Sequence, residues 1–341
     1  MDVALTPEQE ELVATVTALL SKESTAERVR AAEPLGFDDD LWRKLLPLEL
    51  VAMALPESAG GYGGKFEDLV LVTEQLGRRL APVPLIETIV TARVAAAAGE
   101  AGQGIVAGAL ERDARPLATA LRPAQEGRAV LVPAGAVAPI VVGLDGDDLV
   151  AVESEPPLDA PANLGCLPLA DRDLRAEPRA VLASGADARA LHERAVQEWK
   201  QLTAAALVGL SAEALDMGVE YAKGRVQFGV PIGSFQAVAH RLADAHTATE
   251  GARLLVYEAA WAADEGLAEA AALASMAFAF AAESAQRTST WSLHFHGGYG
   301  FMLEYDIQLF FRRAKAWALA YDSTAREYQR VADLLYGPAG R

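Results

Sequence analysis

From Leu5 to about Arg112 apolar residues recur every three to four positions, the period of helices that bury one stripe. Thr6-Pro7-Glu8-Gln9 supplies a hydroxyl cap, a proline at the first helical position and an acidic first turn, so a helix is predicted to begin there. "LPESAGGYGG" at 55–64 interrupts the period, "FEDLVLVTEQLGRRL" restores it, and the prolines of "APVPLIETIVTARVAAAAG" mark a loop before another helix. Between about 113 and 185 the texture changes to short Val/Leu/Ile runs bounded by Gly, Pro and Asp. Such a stretch predicts a small β unit of about six strands, with a hairpin turning at Asp145-Gly146-Asp147. Long amphipathic stretches return from about 186 to 336, broken by "GRVQFGVPIGSFQ" at 224–236. The pattern predicts an α+β chain: a helical domain over 1–112, a small β domain over 113–185 and a helical bundle over 186–341.

Composition narrows what such a chain can do. At 341 residues and 52% hydrophobic content it can bury a sizeable core and is no disordered polymer. Forty-seven acidic side chains against thirty basic ones give a formal charge of −17, which repels a phosphate backbone, so nucleic acid is not an expected partner. The single Cys166 excludes an internal disulfide framework and a cysteine-based zinc site. The N-terminus lacks a basic stretch leading into an apolar one, and no segment is expected to span a membrane. The nearest, "LAEAAALASMAFAFAAESAQ", is interrupted by Glu269 and Glu283 and reads as a core or subunit-interface helix. A cytoplasmic protein without membrane contact is expected. His240 and His246 have no third ligand, so no metal site is expected; Asp244, four residues after His240, reads as a helix-stabilising partner for it.

The chemistry sits in the C-terminal third. Arg225 offers a planar fork of donors suited to a pyrophosphate, and Gln236 adds a donor and an acceptor at the same loop-helix junction. Gly297-Gly298 allow backbone N–H groups to approach a phosphate or ribose with no Cβ in the way.

Three motifs carry a resemblance. They are Arg225-Val226-Gln227-Phe228-Gly229-Val230-Pro231-Ile232 continuing through Phe235-Gln236 to "HRLAD"; His296-Gly297-Gly298-Tyr299-Gly300-Phe301 followed by Glu304-Tyr305 and Arg312-Arg313-Ala314-Lys315; and the N-terminal "LELVAMALPESAGGYGG" with "DLVLVTEQLGRRLAPVP". In this order, over nearly the whole chain, they resemble the acyl-CoA dehydrogenase family of flavoproteins. The resemblance implies that family's fold: an N-terminal helical domain, a middle β domain and a C-terminal four-helix bundle. It also implies FAD as cofactor, an acyl-CoA thioester as substrate, α,β-desaturation as reaction and an external electron-transfer acceptor. Arg225, Phe228 and Gln236 would then contact the adenine-pyrophosphate half of an FAD held mainly by another subunit, with Gly297 and Gly298 on the same nucleotide. His294 stands where the family commonly has a glutamine, and Thr324 matches a threonine that serves the cofactor.

The middle domain departs from the pattern. Where the family opens it with a stretch close to Thr-Glu-Pro and then Gly-Ser-Asp, whose hydroxyls and amides hold the flavin ring, this chain has Leu121-Arg122-Pro123 and runs directly into "AQEGRAVLVPAG". The β region also lacks the tryptophan that packs near the flavin. Such a chain resembles the smaller subunit of heteromeric acyl-CoA dehydrogenases, in which a full-featured partner completes an α2β2 assembly. These assemblies are typical of actinobacterial breakdown of sterol side chains and related bulky acyl-CoAs.

The reaction needs a carboxylate to take a proton α to the thioester, and the family's usual position for it falls on Asp322 in Tyr321-Asp322-Ser323-Thr324. Aspartate is one methylene shorter than the usual glutamate, although nitroalkane oxidase, of the same fold, uses an aspartate there. An alternative family position, on the first long helix of the bundle, falls on Trp199, with Glu198 one residue and about 100° of rotation away. Three readings stay open: a heteromer in which this chain supplies no base, a self-sufficient dehydrogenase or oxidase-like enzyme using Asp322, and a structural partner without flavin contact.

Overall fold

The structure is a computed structural model that describes residues 3–157 and 159–337. The first helix, α1 (Pro7–Glu23), starts at the predicted cap. Thr6 Oγ1 accepts the Gln9 N–H at 3.3 Å and Gln9 Oε1 accepts the Thr6 N–H at 3.1 Å, a reciprocal capping box. Short helices follow, α2 (Ala26–Ala31), α3 (Asp39–Leu45) and α4 (Leu50–Ala54), then α5 (Phe66–Arg78), α6 (Leu85–Ala97) and α7 (Gln103–Ala109).

Six strands occupy the stretch of changed texture among the described residues: β1 (Leu117–Thr119), β2 (Arg128–Val132), β3 (Ile140–Asp145), β4 (Asp148–Glu153), β5 (Ala170–Asp173) and β6 (Arg179–Ser184). A four-stranded sheet has the order β1-β3-β4-β6, with β1 and β3 parallel and the other neighbours antiparallel, while β2 and β5 pair separately. The hairpin between β3 and β4 pairs Asp145 with Asp148 and puts Gly146 at φ +64°, as the Asp-Gly step predicts. Small side chains fill the space between the sheets: Ala118, Ala120, Ala129, Ala134 and Ala138 pack with Val132, Val141, Val150, Val152 and Leu174. A Cβ on Gly143 would meet Leu174 Cδ1 at 2.7 Å and Ala120 Cβ at 2.9 Å, so β3 can cross there only as glycine.

The long helix α8 (Gly185–Gly224) follows, then the two-residue strands β7 (Val226–Gln227) and β8 (Val230–Pro231), and the helices α9 (Gln236–Asp264), α10 (Ala270–Phe295), α11 (Ile307–Ala316) and α12 (Thr324–Tyr336). One expectation is corrected here. By length and composition α8 contains an 18-residue window apolar enough to cross a membrane, but 78% of that window is buried inside the protein. It is a core helix, and α8 rather than α10 holds the longer apolar window because the charged residues of α8 lie toward its two ends.

The chain divides into two compact units. One comprises Met1–Glu27, Val70–Ala81 and Lys200–Arg341; the other comprises Arg28–Leu69 and Pro82–Trp199. In the first, α10 packs along α9 and α12, and α8 and α10 run side by side in the same direction, since Lys200 bonds Ser275 near one end and Gly218 meets Ser292 near the other. Helices α5 and α8 touch through backbone at two glycines: a Cβ on Gly77 would lie 1.8 Å from the Ala206 carbonyl oxygen and one on Gly209 1.9 Å from that of Glu74. With α8, α9, α10 and α12 at its centre, this unit contains the expected bundle.

The second unit holds the sheets, and Arg172 fastens them. Its buried guanidinium donates to the carbonyls of Gly135 and Ala138, both at 2.7 Å, to that of Ser154 at 2.8 Å and to Ser154 Oγ at 2.6 Å. Removing it strands three carbonyls, each costing roughly 1–3 kcal/mol if left unpaired. Arg172→Met is therefore expected to destabilise by at least about 3 kcal/mol, read as a lower urea midpoint at unchanged slope; a midpoint shift equivalent to less than about 1 kcal/mol would contradict this role.

Candidate functional site

Two of the quoted motifs lie at the ends of α8 and α10, and one aromatic contact joins them. The Tyr221 and His296 rings stack at 4.0 Å between centroids with planes 26° apart, and the Tyr221 hydroxyl donates to the His296 carbonyl at 3.4 Å. His296 is buried and desolvation lowers its pKa, so at neutral pH it is a neutral ring. The stack brings the loop leaving α8 beside the Gly297-Gly298 turn.

That loop is a tight hairpin. Gln227 pairs with Val230, and Phe228 and Gly229 have φ +53° and +81°, the two left-handed residues of a primed turn. Glycine adopts this conformation freely; phenylalanine at that position is strained. Phe228 is nevertheless 94% exposed, touching the Phe235 ring edge-on at 6.1 Å. The Arg225 guanidinium makes no hydrogen bond or ion pair among the described residues, and Gln236, the first residue of α9, is likewise exposed with an unengaged side chain. His294 is exposed at the last turn of α10 beside the Phe295 ring. A Cβ on Gly297, at φ +60°, or on Gly298 would meet nothing within 4 Å, so the backbone there faces open space.

Asp322 and Thr324 do not join this group. Lys200, near the opposite end of the bundle portion of α8, touches residues on both sides of them in the chain, Tyr321 and Glu327. From Lys200 to Gly224 the helix rises roughly 36 Å at about 1.5 Å per residue. Asp322 Oδ1 accepts the Ser323 N–H at 2.7 Å, its Oδ2 lies 3.4 Å from Arg326, and its side chain is 30% exposed. Thr324 opens α12.

Glu198 belongs to the other unit, where two guanidiniums hold it. Arg93 donates Nε to Oε2 at 2.9 Å and Nη2 to Oε1 at 3.1 Å, and Arg194 adds its Nε to Oε1 at 2.9 Å. Arg93 also donates to the Ala54 carbonyl at 2.6 Å, so this buried carboxylate ties α4, α6 and α8 together, and the geometry speaks against a base. The neighbouring Trp199 is engaged by a group the sequence did not single out: its Nε1–H donates to Glu87 Oε1 at 3.2 Å, and desolvation raises the pKa of that carboxyl. Another expectation is corrected as well: Asp244 and His240 form no hydrogen bond or ion pair, both being exposed on α9.

The chain matches the family descriptions "Acyl-CoA dehydrogenase, N-terminal domain" over residues 6–103 and "Acyl-CoA dehydrogenase, C-terminal domain" over residues 190–321. It is 32% identical to the acyl-CoA dehydrogenase IpdE2 of Mycolicibacterium smegmatis over 339 residues, 96% of this chain and 98% of that protein. A chain of the ChsE4-ChsE5 complex from Mycobacterium tuberculosis superposes with a TM-score of 0.85 at 30% identity, covering 99% of this chain and all of that one. A chain of the Tcur3481-Tcur3483 steroid ACAD gives 0.85 at 28% identity over 96% and 97%. The chain belongs to the acyl-CoA dehydrogenase family, enzymes that act on the CH–CH bond of acyl-CoA with FAD as cofactor.

The residues present fit one half of that cofactor. At the hairpin end stand a guanidinium unpaired among the described residues, an exposed aromatic ring and open backbone, groups whose chemistry suits a pyrophosphate and an adenine ring. In the other unit Leu121 is buried, Ala120 donates its N–H to Val142 and accepts from buried His192 at 2.8 Å, and residues 121–129 contain no serine or threonine. Nothing in that stretch offers a hydroxyl to a flavin ring.

The raised pKa of Glu87 gives a signed prediction. A carboxyl whose folded pKa exceeds its unfolded value leaves stability intact below about pH 4.3 and withdraws it as pH rises through the folded pKa. The unfolding free energy of Glu87→Gln relative to the parent should therefore climb between pH 4 and 8. A flat difference across that range would show that Glu87 ionises freely.

Proposed function

We propose that this chain is the adenine-side subunit of a heteromeric FAD-dependent acyl-CoA dehydrogenase, assembled two and two with a full-featured relative. The complex introduces an α,β double bond into a CoA thioester of a bulky, steroid-derived acyl group. The observation that carries the reading is the pairing of an unengaged Arg225, an exposed Phe228 and open Gly297-Gly298 at one end of the bundle with a stretch after β1, residues 121–129, that has no serine or threonine to offer a flavin ring. The resemblance to a chain of the ChsE4-ChsE5 complex supports the heteromer, and the steroid ACAD supports the substrate class.

Bound FAD would supply a hydride acceptor for the substrate β-carbon, with a base taking the α-proton and an external electron-transfer acceptor receiving the electrons. In this reading Arg225 pairs with the pyrophosphate, Phe228 packs on the adenine, and Gln236 and His294 supply polar contacts beside them. Backbone at Gly297 and Gly298 approaches the same nucleotide. Thr324, at the other end of α8, contacts a second place on a cofactor. Arg225, unpaired among the described residues on a chain of charge −17, is a cation at this end available to a phosphate. A cytoplasmic location fits such a complex.

The self-sufficient reading asks Asp322 to take the α-proton. Such a base needs a free oxygen in a dry pocket, whereas Asp322 is partly exposed and bound by the Ser323 amide and Arg326.

The test is to purify the chain alone and together with an acyl-CoA dehydrogenase encoded beside it, and to read the visible flavin spectrum. A colourless chain and a yellow pair that bleaches with acyl-CoA are expected; a chain that is yellow alone and bleaches would overturn the heteromer. In the pair, Asp322→Ala should leave turnover within about twofold, since a true general base contributes on the order of 100-fold or more. Phe228→Gly should leave the isolated chain at least as stable, because it removes a strain of roughly 1 kcal/mol and no burial, while the pair loses FAD more readily.

A further inference from the structure

In the bundle unit Lys200 is fully buried, its side chain 0% exposed, and its ammonium meets Glu327, Ser275 and the Tyr321 ring. Nζ donates to Glu327 Oε2 at 2.6 Å and to Ser275 Oγ at 3.3 Å, and it lies 4.6 Å from the centroid of the Tyr321 ring. Glu327 is itself 3% exposed at the side chain. Removing an ammonium and a carboxylate from water costs several kcal/mol per ion, and an apolar pair of similar volume is commonly as stable or more so. Stability alone therefore gives no reason for this pair inside a bundle built mostly of alanine and leucine.

What an apolar pair would not reproduce is the geometry. Tyr321 comes immediately before Asp322, and Glu327 lies in the first turn of α12, so one ammonium grips the chain on both sides of residues 322–324 and fastens it to α8 and α10. At the start of α12 the N-cap Ser323 makes no side-chain cap hydrogen bond, and the contacts of Asp322 with the Ser323 amide and Arg326 are local to the turn rather than to another helix. A ring over a desolvated cation is held directionally, by the attraction of the charge to the ring face. This fixes the Tyr321 ring, and through it the turn, to a point on α8.

We infer that Lys200 is a positioning residue: its ammonium, held between Glu327 and the Tyr321 ring, sets the place of the turn that carries Asp322 and Thr324. The turn's service to the cofactor rests on the function proposed above; its positioning by Lys200 does not.

The test uses Lys200→Met combined with Glu327→Leu, which removes both charges and strands neither. In the full chain, the unfolding midpoint of this double variant should stay equal or rise. Hydrogen exchange at the Ser323 amide, which bonds Asp322 Oδ1 at 2.7 Å, should meanwhile accelerate about tenfold. Tyr321→Leu should accelerate it similarly and Tyr321→Phe, which keeps the ring, should not. Exchange within twofold of the parent in the double variant would overturn the inference. In the reconstituted pair FAD should dissociate about tenfold more readily from the double variant; accelerated exchange with unchanged FAD retention would keep Lys200 as a positioning residue and overturn the turn's service to the cofactor. A parent pair that holds no flavin would refute the proposed subunit function instead, while the exchange result would still decide the role of Lys200.

Discussion

The Tyr221 ring lying on that of His296 is the contact on which the far end of the bundle depends. Helices α8 and α10 run in the same direction, so their ends meet, and each is followed by one of the motifs suited to a nucleotide. Because His296 is buried and neutral, the stack adds no charge of its own beside Arg225. Without it the hairpin and the double glycine would be two unrelated loops; with it, a guanidinium, an exposed ring and bare backbone converge.

The other unit shows the opposite economy. Its β region is short, its core is largely alanine and valine, and its one deeply buried cation, Arg172, is consumed by carbonyls of the same region. After β1 the chain runs into the Gln125 to Arg128 turn, with Glu126 and Gly127 both at positive φ. Residues 121–129 carry neither serine nor threonine, so the stretch offers no side-chain hydroxyl to a ligand.

What could be read in advance was local. Thr6-Pro7 announced α1, Asp145-Gly146 announced the β3 and β4 hairpin, and the prolines near 82–84 marked the entry to α6, because caps and turns are decided by residues within a few positions of one another. The pairs that fasten the structure were not legible. Lys200 and Glu327 are separated by 127 positions and Arg93 and Glu198 by 105, and each of these charges, read in its own helix, looks like an ordinary exposed residue. Glu87 behind Trp199 escaped notice for the same reason, its partner lying 112 positions away. The site motifs fell between these cases: their residue types were readable, but only the parallel course of α8 and α10 separates the group at Arg225 and Gly297 from Asp322 and Thr324. The apolar window of α8 escaped notice beside the Ala-rich segment of α10, and burial rather than composition makes it a core helix.

Sharing of one cofactor between unlike chains is the central claim, and stoichiometry tests it directly. Native mass spectrometry of the purified complex should find one FAD for each pair made of this chain and its partner, and none on this chain by itself. One FAD per chain, with this chain retaining its own when the partner is removed, would contradict the account.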